Sequence, residues 1–199
     1  MTTQQNKQGQ HAGRWKLFAV IAVCAAPMIA SYFAYYVIKP EGRTNYGALL
    51  DPRSYPMPDL GAVTLDGKSA GLDAWKGKWI MLQVDQSDCA EACKTKLYQM
   101  RQLRLTQGKE MDRIERVWAI TDDKPLDTIV MREYDGTRLL RVKPEAIKRW
   151  LPAEPGTAVT DHIYIIDPLG NLMMRFPKDP DPNKIKKDLA RLLKASRIG

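Results

Sequence analysis

Residues 79–105 read WIMLQVDQSDCAEACKTKLYQMRQLRL, and this stretch decides the fold. Trp79 to Val84 is a nearly continuous apolar run of strand length, the pattern of a strand covered on both faces. From Cys89 to Leu105 the residues favour a helix. Cys93, Leu97, Met100 and Arg104 recur at helical spacing with lysines and arginines between them, so that helix is amphipathic. Ser87 or Asp88 is the expected N-cap. Cys89 and Cys93 stand where the strand hands over to the helix, and a spacing of i, i+4 puts two sulfurs on one helix face, one turn apart.

Working outward toward the C-terminus, Val117-Trp-Ala-Ile120 reads as a second buried strand, and residues 126–134 and 144–151 as helices. Pro144 suits a first helical position. His162 to Ile166 is a third strand, Asp167 to Asn171 a hairpin turn, and Leu172 to Phe176 a fourth strand. Asp181-Pro182 then opens a last helix with Ile185, Leu189, Leu192 and Leu193 on one face. On the N-terminal side, Leu60 to Leu65 alternates like a short strand before an Asp66-Gly67 turn. Leu72 to Trp75 forms a helical turn closed by Gly77. A crossover between buried strands followed by an antiparallel hairpin predicts an α/β domain with a mixed sheet and helices on both faces.

Further upstream, Leu17 to Ile38 is a run of 22 residues without a charge. As a helix it is ~33 Å long, enough for a hydrocarbon core of ~30 Å. It exceeds a signal-peptide core of roughly 7–15 residues, and Ala25-Ala26 followed by Pro27 is a poor cleavage site. An uncleaved transmembrane helix is therefore expected, with Tyr32, Phe33, Tyr35 and Tyr36 as interfacial aromatics. Lys7, Arg14 and Lys16 precede the run with no acid before residue 38, whereas Glu41 dilutes Lys39 and Arg43 after it. The positive-inside rule places the N-terminus in the cytoplasm and the rest outside, in the periplasm of a bacterial inner membrane. The expected organisation is a cytoplasmic tail (1–16), a transmembrane helix (17–38), a Pro- and Gly-rich linker (39–58) and the α/β domain (59–199).

Composition narrows the chemistry. The chain has 199 residues, 44% hydrophobic and 27% charged, which suits one domain with an appendage. His11 and His162 are the only histidines, so sites built from several imidazoles are excluded. No glycine-rich dinucleotide motif and no phosphate loop is present. The net charge of +8 includes Lys7, Arg14 and Lys16 of the tail. The remaining basic residues are scattered among acids with no groove-reading motif, which argues against nucleic acid as a partner.

The cysteine pair carries the chemistry. Two thiolates one turn apart clasp a single soft cation or close into a disulfide. Cu(I) accepts sulfur at low coordination number, whereas Zn(II) wants four ligands that the sequence does not offer. A helix N-terminus favours a thiolate, while Asp88 and Glu91 oppose it. Space-filling cysteines are the plain alternative. Cys24 lies within the apolar run and reads as packing. Met81, Met100, Met173 and Met174, and the tryptophans Trp75, Trp79 and Trp118, fit core positions, while Trp150 reads as half-exposed. Asp122-Asp123-Lys124 reads as a solvated loop near the cysteine edge, and Lys184, Lys186, Lys187, Arg191 and Lys194 as a solvated helix face.

Asp66-Gly67, Asp73-Ala-Trp-Lys-Gly-Lys-Trp79, the C-x-x-x-C of Cys89 and Cys93, and Tyr164-Ile-Ile-Asp-Pro-x-Gly170 together resemble the Sco/SenC family. These are membrane-anchored, thioredoxin-like copper chaperones for cytochrome c oxidase assembly, and the resemblance covers roughly residues 58–196. It implies a thioredoxin-like fold and copper held by Cys89 and Cys93, with His162 as third ligand. The implied partner is the copper-site subunit of the oxidase or another assembly factor. The enzymatic alternative is a periplasmic thiol–disulfide oxidoreductase that uses the same two cysteines on the oxidase's copper-ligand cysteines, with Cys89 attacking because it is nearer the helix start. Lys94 replaces the proline usual after the second cysteine. His162 lies two residues before Tyr164, where the family places its histidine about five before. Because strand side chains alternate, an even spacing turns the ring to the other face of the sheet unless the loop compensates.

Overall fold

A computed structural model describes residues 7–38 and 45–198; residues 1–6 of the tail and 39–44 of the linker lie outside the described residues. The chain divides into two compact units between Thr44 and Asn45. The first holds helix α1, Lys7–Phe33, continued by a π-helical turn over Ala34–Ile38. Pro27 sits inside α1 without ending it. Arg14–Tyr36 is a 23-residue segment of mean hydropathy 2.1, long and apolar enough to cross a membrane. The rings of Tyr32 and Tyr36 lie 4.4 Å apart, and Cys24 is a free, exposed thiol.

The second unit is built on a six-stranded mixed sheet: β1 (Ala48–Leu49), β2 (Trp79–Asp85), β3 (Ile114–Ile120), β4 (Thr137–Arg141), β5 (Ile163–Ile166) and β6 (Leu172–Arg175). The spatial order is β1-β6-β5-β2-β3-β4. β2, β3 and β4 run parallel, while β5 is antiparallel to β2 and to β6. Helices α2 (Glu91–Leu105), α3 (Thr128–Glu133), α4 (Pro144–Trp150) and α5 (Pro182–Ala195) complete it.

Alternation along the strands sorts the core into two layers. Ile80, Leu82 and Val84 of β2 join Val117, Leu140, Tyr164, Ile166 and the α4 residues Ile147 and Trp150 on one face. Trp79 and Met81 join Ile114, Ile163, Ile165 and Met174 with Met100 of α2 and Ile185 and Leu189 of α5 on the other. Every residue of β3 is buried, as expected of a central parallel strand. Trp150 is buried with the α4 layer, where the sequence predicts half exposure.

Three elements differ from the sequence reading. The strand expected over Leu60–Leu65 is reduced to bridges at Val63, whose N–H donates to the Arg141 carbonyl at 3.0 Å. Gly61 at φ +57 breaks the extended run behind Leu60, so only the far end reaches the sheet edge. β4 is a strand that sequence alone leaves unassigned, because its arginines mask a short edge pattern in which Leu140 is the fully buried residue. Within the stretch read as a linker, residues from Asn45 onward belong to the domain. Ala48 pairs with Arg175, and the buried carboxylate of Asp188 accepts the N–H groups of Tyr46 and Gly47 at 2.7 and 2.9 Å.

Candidate functional site

β2 ends at Asp85, and the chain turns before entering α2. Cys89 sits in that turn at φ +36, the left-handed region, and its N–H donates to the Gln86 carbonyl at 3.2 Å. A cysteine pays for that conformation with strain of about 1–3 kcal/mol, and such residues persist only where the surroundings hold them. The kink delays the helix: Ala90 is the N-cap and Glu91 the first helical residue. Ser87 is therefore no cap. Its N–H and hydroxyl both donate to the Asp122 carboxylate, each at 2.9 Å. Asp122 thus ties the loop after β3 to the cysteine turn and is no solvated charge, in contrast to the sequence reading.

Cys89 and Cys93 are joined in a disulfide, with their Cα atoms 5.1 Å apart. One partner precedes the helix and the other lies in its first turn. Both residues are 1% exposed. They share a cluster with Leu97 of α2, Trp118 and Ile120 of β3, and Val130 and Tyr134 at α3. α3 is short and is capped by Asp127, whose carboxylate accepts the Ile129 N–H at 2.8 Å. Beneath the pair, the buried Gln83 of β2 donates its Nε2 hydrogen to Cys93 Sγ at 3.4 Å, and its Oε1 has no partner. One turn along α2, Lys96 Nζ binds Asp85 Oδ2 at 3.1 Å and also the Thr160 carbonyl. A cleft of about 330 Å³ opens at the same end of the sheet, lined by Asp85, Gln86, Thr121, Lys148 and Thr160 among others.

The Thr160 bond brings the segment before β5 alongside α2, yet His162 is not brought to the sulfurs. Ile163 and Ile165 pack on the α2 and α5 layer, so His162 shares its parity with Tyr164 on the opposite layer. Its ring centroid lies 6.0 Å from that of Tyr164. Nδ1 is 2.9 Å from the Phe176 carbonyl oxygen, which can only accept, so Nδ1 carries the hydrogen. Nε2 is left as the acceptor, 2.7 Å from the Thr157 hydroxyl and 3.5 Å from the Glu154 N–H. Burial pushes the imidazole pKa below its ordinary value of 6.5. Among the described residues, no group of three or more His, Cys, Asp or Glu side chains is arranged to hold a metal.

Gln83 escapes the sequence reading as a site residue. The available signal for Gln83 is its place as the lone amide in an otherwise apolar strand run, since a buried polar residue there calls for a reason. Asp122 is legible only as part of a loop near the cysteine edge, and its bond to Ser87 is set by the fold.

The model of the family described as "transmembrane-like, thioredoxin-like, C-terminal domain" matches residues 79–196, more than half of the chain. The chain belongs to that family. The companion model, "transmembrane-like, N-terminal domain", matches residues 8–37 of this transmembrane-like, thioredoxin-like protein, the segment that holds α1. No curated protein matches its sequence. Among solved structures, the fold is similar to that of yeast Sco1 with copper bound, at 16% identity and a TM-score of 0.55, over 70% of this chain and 95% of that one. A SCO1/SenC family lipoprotein from Bacillus anthracis matches at 19% identity and a TM-score of 0.54, over 74% and 98%. BsSco, described as a Sco-family cytochrome c oxidase assembly protein with a disulfide switch, matches at 14% identity and 0.53, over 73% and 98%. The domain thus has a Sco-like thioredoxin fold, and its C-x-x-x-C pair stands at the strand-to-helix junction.

Proposed function

We propose that this protein is a membrane-anchored thiol–disulfide exchange protein, with α1 as an uncleaved anchor in a bacterial inner membrane, the N-terminus in the cytoplasm and the domain in the periplasm. The observation that carries the reading is the Cys89–Cys93 disulfide across a turn and the first turn of a helix, with an amide on one sulfur. In the reduced protein the Cys89 thiolate attacks a partner disulfide, forming a mixed disulfide and releasing one partner thiolate. Cys93 then attacks Cys89, closing the intramolecular disulfide and releasing the second partner thiolate. Two electrons pass to the partner, whose thiolates take up the protons that the cysteines release. Cys89 suits the attacking role because it lies ahead of the helix, while Cys93 is held by Gln83. The partner we favour is the copper-ligand cysteine pair of an oxidase copper-site subunit, which the Sco-like fold supports. Reaching the sulfurs requires α3 or the loop behind Asp122 to move aside.

The test is a mixed-disulfide trap with the full chain in detergent. Cys93→Ser should accumulate a covalent adduct with a peptide carrying an oxidised copper-site cysteine pair, and Cys89→Ser should not. No adduct from either variant, with the wild-type disulfide unreactive toward glutathione, would overturn the reading.

A second reading, copper carriage, is favoured by the C-x-x-x-C pair on a fold shared with a copper-bound Sco1. Once reduced, the two sulfurs suit Cu(I) at low coordination as cargo. His162 joins them only if residues 157–162 rearrange and the ring leaves the Phe176 carbonyl. Copper analysis of the reduced protein decides it. Stoichiometric copper that is lost on replacing both cysteines by serine supports carriage, and copper retained in that double variant refutes the site.

A further inference from the structure

Gln83 is fully buried in the middle of β2, and its side chain has two ends with different fates. Nε2 donates to Cys93 Sγ at 3.4 Å, while Oε1, equally shut off from water, accepts from nothing. A buried acceptor without a donor is unfavourable, because it has given up its hydrogen bonds to water and gained none. The strand around it is apolar, so nothing else in β2 requires an amide there. A disulfide has no hydrogen to give. Reduction changes that, because two electrons and two protons from an external dithiol break the S–S bond and create two S–H groups, the dithiol leaving as its own disulfide.

We propose that Gln83 is the positioning residue that favours the reduced pair, its amide holding Cys93 Sγ in both states while its orphaned Oε1 gains a donor only when the Cys89–Cys93 bond opens. The inference rests on the thiol–disulfide reading and adds a residue that tunes the potential of the pair, making the reduced cysteines a milder electron donor to the partner and the oxidised pair easier to recharge. Stabilising the reduced form makes the oxidised pair a better oxidant than an apolar residue at position 83 would allow. It also makes the buried disulfide a reactive bond, unlike the inert bridges that staple small secreted domains.

The test is redox equilibration of the full-length protein in detergent with glutathione, comparing wild type with Gln83→Leu and Gln83→Met. Both variants remove the amide and keep the volume close. The expected result is an approximately tenfold shift of the thiol–disulfide equilibrium toward the disulfide in each, which is about 30 mV for a two-electron couple. Unfolding of the oxidised and reduced forms gives an independent measure: both variants should lose more stability on reduction than wild type does. A wild-type disulfide that equilibrates with glutathione, together with variant equilibria within twofold of it, would overturn the role of Gln83 and leave the exchange function standing. A wild-type disulfide that never exchanges removes both. If Gln83→Leu fails to fold, Gln83→Met, with a flexible unbranched chain, carries the comparison.

Discussion

The His162 imidazole gives its Nδ1 hydrogen to the Phe176 carbonyl at 2.9 Å, and this bond ties the ring to the residue that follows β6. His162→Leu strands the buried Phe176 carbonyl, at a cost of about 1–3 kcal/mol, whereas the part-buried Thr157 hydroxyl keeps the Glu154 carbonyl as a partner. The expected outcome is a lower urea midpoint with an unchanged glutathione equilibrium for Cys89–Cys93. A variant that stays folded but shifts that equilibrium or its copper stoichiometry would place the ring at the sulfurs.

Glu115 supplies the acid response. Burial works against its ionisation, but Lys78 Nζ at 2.8 Å and Arg138 Nε at 3.3 Å outweigh it and hold the carboxyl below its ordinary value of 4.5. A carboxyl depressed in the folded state contributes stability that is present above its unfolded pKa and fades as the pH falls through the folded one. Wild type should therefore lose stability on acidification below about pH 4.5. Glu115→Gln should be less stable at neutral pH and fall less steeply in that window. Urea midpoints across the acid range check this, and parallel curves would show that the carboxyl is not coupled to folding.

The carboxylate of Asp188 pins the start of the domain through the N–H groups of Tyr46 and Gly47. Asp188→Leu should cost about 1–3 kcal/mol by stranding two donors. Gly47 allows the approach, since a Cβ there would lie 2.7 Å from Met174 Cγ and 2.9 Å from the Phe176 ring. Gly47→Ala should destabilise by a similar ~1–3 kcal/mol through overpacking. Hydrogen exchange should show early loss of protection at residues 45–49 in both variants, and protection equal to wild type would mean that the segment is held elsewhere.

Tyr134 packs in the cluster that buries the disulfide. Tyr134→Ala should raise the rate of reduction by dithiothreitol several-fold, because exchange depends on access to the sulfur. Stopped-flow reduction with the equilibrium potential measured alongside separates access from driving force. An unchanged rate would show that the reductant enters by another side.

Periodicity and composition made several elements legible in the chain's own residues. The run at 79–84, the helix after it, the strands at Val117 and Tyr164 and the last helix all carry their burial pattern in their own residues, as does the apolar segment spanned by α1. The i, i+4 cysteines announced a disulfide or a soft-ion grip, but they do not share a helix turn: Cys89 stands before α2 in a left-handed turn, and that turn closes the pair. What sequence could not reach was set by contacts between distant segments. β4 exists because β3 offers it a parallel edge, and residues 45–58 join the domain because β6 and Asp188 supply partners more than 100 positions away. Ser87, an expected cap for α2, is instead bound to Asp122 across 35 residues, while the left-handed turn at Cys89 delays α2 to Glu91. The layer His162 occupies follows from alternation counted from Tyr164. Gln83 becomes a partner of Cys93 only when α2 packs on β2, because burial and hydrogen bonding across the core are properties of the assembled structure.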